Sequence, residues 1–244
     1  MHALVGGTLP PAWQARWGKF RNALLDAVFP PRCGGCGQRG SLWCAACQAQ
    51  VQPVRDPMCS HCGRPQHDPA LCPQCRHSPL DIDGIRSAVL FEGPLREAIH
   101  HLKYSGRTSL AEPLGAYLEA RWRIASLPAD LIVPVPLHAA RQRERGYNQS
   151  ALLCIPLSRV SKLPVIEPAL TRVKATTPQV TLNAAERKAN VCAAFEARCD
   201  LVRGRRVLLV DDVCTTGATL ESSSIALRQA GATSVWALTL ARAP

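Results

Sequence analysis

Eight cysteines set as four consecutive C-x-x-C pairs between positions 33 and 75 constrain this chain more than any other feature. Cys33/Cys36 and Cys44/Cys47 are separated by seven residues, and Cys59/Cys62 and Cys72/Cys75 by nine. A C-x-x-C turn aims two sulfurs at one ion, and two such turns close a tetrahedral four-thiolate site with no open coordination position. This is the spacing of two tandem zinc ribbons, and it predicts two structural Zn2+ ions with sequential pairing; interleaved pairing is the alternative. Disulfides or an iron–sulfur cluster are competing uses of the same thiols. Residues 32–79 are rich in Cys, Gly, Pro and Gln and lack aliphatic periodicity, so a metal must replace an ordinary core there. Metal spacing also favours a reducing, cytoplasmic setting over a secreted disulfide scaffold. His61, His67 and His77 are surplus to eight thiolates. Cys154, Cys192, Cys199 and Cys214 have no pair spacing and read as incidental thiols.

The 244 residues are 47% hydrophobic and 19% charged, without an uncharged apolar run of about eighteen, which excludes wholesale disorder and a membrane-spanning helix. Trp13, Arg16, Lys19 and Arg21 interrupt the first thirty residues, so no export signal is expected. The formal charge of +11 suggests nucleic acid at first sight. Eight thiolates on two zinc ions would remove four charges, leaving about +7. Residues 1–79 hold eight Lys/Arg against three Asp/Glu and become roughly neutral once metallated. Of the 29 cations 24 are arginines, which suit planar recognition of phosphates or reflect a composition bias.

Three regions emerge. Residues 1–31 hold an amphipathic helix over 12–28, with Trp13, Trp17, Phe20, Leu24, Leu25 and Val28 on one face and Pro30-Pro31 at its end. That helix packs on the body or, alternatively, meets a membrane surface or a partner. Residues 32–79 form the double ribbon. Residues 80–244 alternate strands (85–91, 131–136, 206–210, 235–240) with helices (94–104, 109–123, 148–160, 219–230). Segment 171–190 reads as a polar loop leading into a helix around 184–189. The alternation predicts an α/β fold: a mostly parallel sheet with helices on both faces, preceded by the small Cys-rich module.

The most specific stretch is Val207-Leu-Leu-Val-Asp211-Asp212-Val-Cys-Thr215-Thr216-Gly217-Ala218-Thr219-Leu. An apolar strand delivers two adjacent acids to its carboxyl end, and a hydroxyl-rich turn opens a helix, the place where open α/β sheets bind ligands. Backbone N–H groups of Thr215–Thr219 suit a phosphate, with Gly217 permitting close approach. Asp211 and Asp212 suit vicinal sugar hydroxyls beside a hydrated Mg2+. A plain strand–turn–helix is the bland alternative. Cys214, at the expected helix start, would have a lowered pKa and some redox sensitivity.

The stretch resembles the phosphoribosyl-pyrophosphate (PRPP) signature of type I phosphoribosyltransferases, and with the cysteine pairs ahead of it the chain is similar to the ComF/GntX family associated with competence and DNA uptake. Further matching pieces are Leu102-Lys103-Tyr104-Ser-Gly106, Val133-Pro-Val-Pro136-Leu-His138, Arg145-Gly-Tyr-Asn-Gln149, and Thr177-Pro-Gln179 with Leu182, Arg187 and Asn190. By that resemblance Asp211 and Asp212 form the catalytic pair, and Thr215, Thr216, Gly217, Ala218 and Thr219 hold the 5-phosphate. Leu137, His138, Ala139 and Ala140 would form the pyrophosphate loop, with Arg141 and Arg145 neutralising charge. Lys174, Gln179 and Arg187 would belong to a flexible loop closing over PRPP, unless 171–190 is an ordinary surface loop. Lys103, Tyr104, Asn148 and Gln149 are further candidates; alternatively Asn148 caps a helix.

The implied activity is Mg2+-dependent transfer of phosphoribosyl to an unidentified acceptor, releasing pyrophosphate. No base-recognition element is evident, so the acceptor is expected at the zinc module, near Lys103 and Tyr104, or on a partner. The rival expectation is a non-catalytic interaction protein that binds single-stranded DNA and the helicase or recombination proteins of DNA uptake, using Tyr104, Tyr147 and Trp43 as aromatic contacts. A third is a PRPP sensor that binds without consuming it.

Overall fold

The computed structural model describes residues 30–174 and 194–243. The segment 12–28, the helix expected over 184–189, and Gln179, Arg187 and Cys192 lie outside them. In chain order the elements are α1 (Ala45–Gln48), α2 (Pro73–His77), β1 (Gly84–Leu90), α3 (Gly93–Tyr104), α4 (Ala111–Ala125), β2 (Leu131–Pro134), α5 (Ala139–Arg145), α6 (Gln149–Ser161), β3 (Leu170–Arg172), β4 (Phe195–Ala197), α7 (Cys199–Val202), β5 (Arg206–Cys214), α8 (Ala218–Gln229) and β6 (Ser234–Arg242).

Four strands form a parallel sheet in the order β1-β6-β5-β2. Successive side chains of β5 serve opposite faces. Leu208 and Val210 join Ile132, Leu238 and Leu240 beneath α4 and α6, whereas Val207 and Leu209 join Val133, Val235 and Ala237 beneath α8. Covering both faces demands apolar residues at every position, which is why these strands read as continuous hydrophobic runs. β3 and β4 form a separate antiparallel pair against the α8 side.

The cysteine-rich region docks on this body. Cys33, Trp43 and Cys47 share a buried cluster with Leu95, Ala98 and Leu110, and the Trp43 indole N–H donates to the Tyr117 hydroxyl at 2.9 Å. Between the ribbons, Val54 N–H donates to the Ala88 carbonyl at 3.0 Å, and Leu90 N–H donates to the Gln52 carbonyl at 2.8 Å. These bonds run along the free side of β1 and cover an edge that would otherwise invite pairing with another chain.

Three local expectations change. β5 runs on to Cys214 rather than ending at Val210, because β6 pairs with it as far as Arg242. Residues 139–145 (AARQRER) form helix α5, whose residues are all strong helix formers and whose start is capped by His138; the expected loop over Leu137–Ala140 therefore ends in a helical turn. The segment from Thr171 begins as strand, too short for a period-two signal.

Helices α4 and α6 touch through Gly115 and Pro156: a Cβ at Gly115 would sit 2.2 Å from the Pro156 Cγ. Gly115→Ala improves helix propensity but meets a rigid ring, so we expect a net loss of about 1–3 kcal/mol in urea unfolding. A gain in the unfolding midpoint would contradict this packing.

Candidate functional site

β2 stops level with Val210, so the last four residues of β5 project beyond it at the carboxyl edge of the sheet. Into that gap the turn before α6 brings a ready-made partner. The Asn148 side chain accepts from Ser150 N–H at 3.0 Å and donates to the Val135 carbonyl at 3.1 Å, which fixes the helix start. Ser150 Oγ then donates to Asp211 Oδ1 at 2.9 Å, and Asp212 N–H donates to the same oxygen at 2.9 Å. Asp212 is 3% exposed and pairs through Oδ1 with Lys103 Nζ, 2.7 Å away at the end of α3. Asp212 Oδ2 is buried and finds no hydrogen-bond partner among the described residues. Burial and the neighbouring Asp212 charge push the Asp211 carboxyl up to about 7, against the opposing pull of Asp212 N–H, Ser150 and Lys103.

Beyond the acids the chain turns. Gly217 adopts φ +90°, in the left-handed region, and caps α8; a Cβ there would lie 2.7 Å from Leu80. Thr215, Thr216, Ala218 and Thr219 are exposed around it, with Thr216 Oγ1 accepting from Ala218 N–H at 3.4 Å. Cys214 faces inward instead. Burial raises its thiol to about 11, and Arg242 only partly offsets that, so the expected low-pKa thiol at a helix start is corrected: Cys214 ends a strand and stays protonated.

Two clefts are lined by residues that support the acid pair, Lys103 in one and Asn148 in the other, though not by the acids themselves. One, of about 460 Å³, is lined by Lys103, Tyr104, Arg141, Glu144, Arg145 and Tyr147. Tyr104 is 65% exposed, and the Arg145 guanidinium stacks 5.2 Å over its ring while also donating to the buried Gln149. The other, of about 330 Å³, lies beside Leu137 and Ala139 and is walled by Asn148, Thr171 and Arg172. His138 Nδ1 accepts from Ala140 N–H at 3.3 Å, and its backbone bridges to Arg172. Burial and the nearby Arg141 charge lower the Arg172 pKa while Asp211 opposes them, so both guanidiniums and the acid pair share one electrostatic neighbourhood. Lys174 stands two residues further on; Gln179 and Arg187 lie outside the described residues.

The cysteine groups form two compact sets. Cys33, Cys36, Cys44 and Cys47 converge, as do Cys59, Cys62, Cys72 and Cys75, each with its ligand atoms within 4.8 Å of one another. Pairing is therefore sequential. Sulfur separations of 3.7 Å (Cys36–Cys44) and 3.8 Å (Cys62–Cys72) match the roughly 3.8 Å edge of a tetrahedron with about 2.3 Å zinc–sulfur bonds. Within each set the fold draws one thiol down, whereas burial pushes Cys47, Cys62 and Cys75 up. Burial raises the Cys33 thiol, but backbone N–H groups of Cys44, Cys36 and Gly35 outweigh it and bring it to about 6; those of Cys72, Cys62 and His61 do the same for Cys59. Among the described residues no helix is long and apolar enough to cross a membrane.

Comparison with known proteins finds matches in two parts of the chain. Residues 24–76 match the double zinc ribbon domain and residues 167–244 the phosphoribosyl transferase domain. The chain is 36% identical over 203 residues to the DNA utilization protein YhgH of Escherichia coli K12, covering 80% of this chain and 88% of that one. The chain belongs to the ComF/GntX family. It is also similar to competence protein F of Haemophilus influenzae (34% identical, 88% of this chain, 98% of that one) and to competence protein ComFC of Bacillus subtilis (28%, 82% and 83%).

In this ComF-family chain the structure brings Asp211, Asp212 and Lys103 together, and sets Arg141 beside Arg172. Asn148 and Gln149 serve the α6 start rather than an open surface, and Arg145 is spent on Gln149 and Tyr104. Sequence reasoning missed Ser150 and Arg172. Ser150 carries a faint signal, because the cap at Asn148, read in the sequence as an alternative and present in the structure, sets Ser150 in the first turn of α6; Arg172 carries none.

Two outcomes are expected. Carbon-detected NMR of aspartate carboxyls finds one group titrating near 7, and Asp212→Asn lowers that midpoint by removing the adjacent charge. Because the native state holds this proton more tightly than the unfolded chain, Asp211's contribution to stability is complete below about 4 and is lost as pH rises through about 7. Cys59→Ser lowers bound zinc from two ions to one per chain and unfolds its ribbon, since structural zinc contributes about 10–16 kcal/mol of apparent binding energy; unchanged metal content would refute the ligand set.

Proposed function

We propose that this protein binds PRPP and transfers its phosphoribosyl group, with release of pyrophosphate, in a cytoplasmic process tied to DNA uptake or use. One observation carries the reading: an acid pair, whose buried member Asp212 has one oxygen without a partner among the described residues, stands before a glycine-capped hydroxyl turn at the carboxyl edge of a parallel sheet. The unmatched Asp212 Oδ2 suits a sugar hydroxyl or a hydrated cation, so Asp211 and Asp212 would hold the ribose diol and flank Mg2+. Bound Mg2+ would neutralise charge on the departing pyrophosphate. The 5-phosphate would rest on the N–H groups of Thr215–Thr219. Arg141 and Arg172 would face the pyrophosphate beside Leu137–Ala140, with Lys174, Gln179 and Arg187 on the closing segment.

In the reaction the bond from the anomeric carbon to pyrophosphate breaks as the acceptor's bond forms, and pyrophosphate leaves with the electron pair. Positive charge builds on the ring, and the carboxylates beneath it stabilise that charge while Lys103 keeps Asp212 in place. The names of the relatives supply the link to DNA use and competence.

A second reading is favoured by the Arg145–Tyr104 stack above a cationic cleft: a single strand of DNA lies there with a base on Tyr104, and turnover is absent. Calorimetric titration of PRPP with Mg2+ into zinc-replete protein separates them. We expect saturable binding that falls at least about tenfold in Asp211→Asn/Asp212→Asn, in line with the loss of charge-assisted hydrogen bonds. No binding by the native protein, together with salt-sensitive DNA binding retained in the double variant, would favour the second reading.

A further inference from the structure

Arg242 is among the most deeply buried charges in the molecule, at 1% exposure, yet no carboxylate pairs with it among the described residues. An uncompensated guanidinium in such a place is costly. Its contacts show what it serves. Nη1 donates to the Cys62 carbonyl at 3.0 Å and to Cys214 Sγ at 2.9 Å, and Nη2 lies 3.9 Å from Cys62 Sγ. Cys62 belongs to the second group of four cysteines, and Cys214 is the residue immediately before Thr215. A zinc ion with four thiolates carries a net charge of about −2, which is the counter-charge this arginine otherwise lacks.

A second path runs parallel to the first. Leu80 packs on the Cys59/Cys62/Cys72/Cys75 group and also against Gly217, where a Cβ would come within 2.7 Å of it. Its carbonyl is hydrogen-bonded to His61 Nε2 at 3.0 Å, inside the second ribbon. The next residue, Asp81, donates its N–H to Glu221 in the first turn of α8 at 3.1 Å. The second ribbon thus grips the phosphate turn from both ends, at Cys214 before it and at Gly217 to Glu221 after it. The first ribbon instead joins the core beneath α3 and α4.

We propose that Arg242 is a positioning residue: it uses the charge of the second zinc centre to fix the end of β5, so that the metal in that centre, and not in the first, sets the affinity of the turn for phosphate. The ligand side of this inference rests on the phosphoribosyl reading above; the link between metal and turn does not.

The test uses the full chain loaded with 113Cd, whose two resonances are assigned with Cys36→Ser. Arg242→Met should shift the resonance of the second centre alone, with two metals per chain retained. PRPP with Mg2+ should shift that same resonance in the native protein, and its affinity should fall about tenfold in Arg242→Met, with partial recovery in Arg242→Lys. Cys214→Ala, which cuts the link without touching either metal site, should weaken binding in the same direction. Native affinity and an unmoved second resonance in Arg242→Met would overturn the proposal, as would a ligand response confined to the first centre. Should native protein fail to bind PRPP, hydrogen exchange still decides: faster exchange of amides 213–219 in Arg242→Met at full metal content supports the link, and equal exchange overturns it.

Discussion

Two adjacent carboxylates near the end of a central strand, one buried and one half-buried, are expensive, and much of the domain is organised to keep them there. Asp212 has Lys103, sent from the end of α3; Asp211 has Ser150, sent from the start of α6. Both helices are anchored in the same buried cluster as the face of β5 that carries Leu208 and Val210. The partners are therefore delivered by packing, and the site's geometry inherits the rigidity of the core. With Asp211 drawn toward neutrality, the pair is less negative than two free carboxylates would be, which leaves it ready for hydroxyl groups as well as for a cation.

The zinc module is continuous with this arrangement. Gly34 and Gly35 approach so closely that a Cβ would strike Leu110 or Pro94, and Trp43 is buried with the same residues that support α3. A region without aliphatic periodicity has acquired a core by borrowing one. The metal sites shape the loops, and the loops then cover α3 and the free edge of β1.

How much of this the sequence disclosed depended on whether the chemistry was contiguous. The ribbons were legible because four ligands crowded into one short stretch define a site, and sequential pairing follows from that proximity. The acid pair and its turn were legible for the same reason, as were the parallel sheet and the long helices. What escaped came from far away along the chain. Lys103 was noted only as a candidate, and its partner Asp212 lies in a distant part of the sequence; Ser150 and Asp211 are 61 apart. Arg172 sits on a three-residue strand that no periodicity could reveal, and α5 was hidden behind the proline-rich stretch before it. Cys214 was misread because the strand outlasts its apolar run: pairing with β6, not hydropathy, determines where β5 ends.

The strand order has a consequence for how the molecule comes into being. β6 is the last of the described strands, yet it lies between β1 and β5. During synthesis β1 emerges early and finds no neighbour on its inner side until residues 234–242 leave the ribosome. The ribbons need only short-range contacts and metal, so they can form first and shield one side of β1 through Val54 and Gln52 while the other side waits. The acid pair and its turn belong to β5 and the buried arginine to β6, so a chain lacking residues 234–242 would lose the sheet's middle, not its margin.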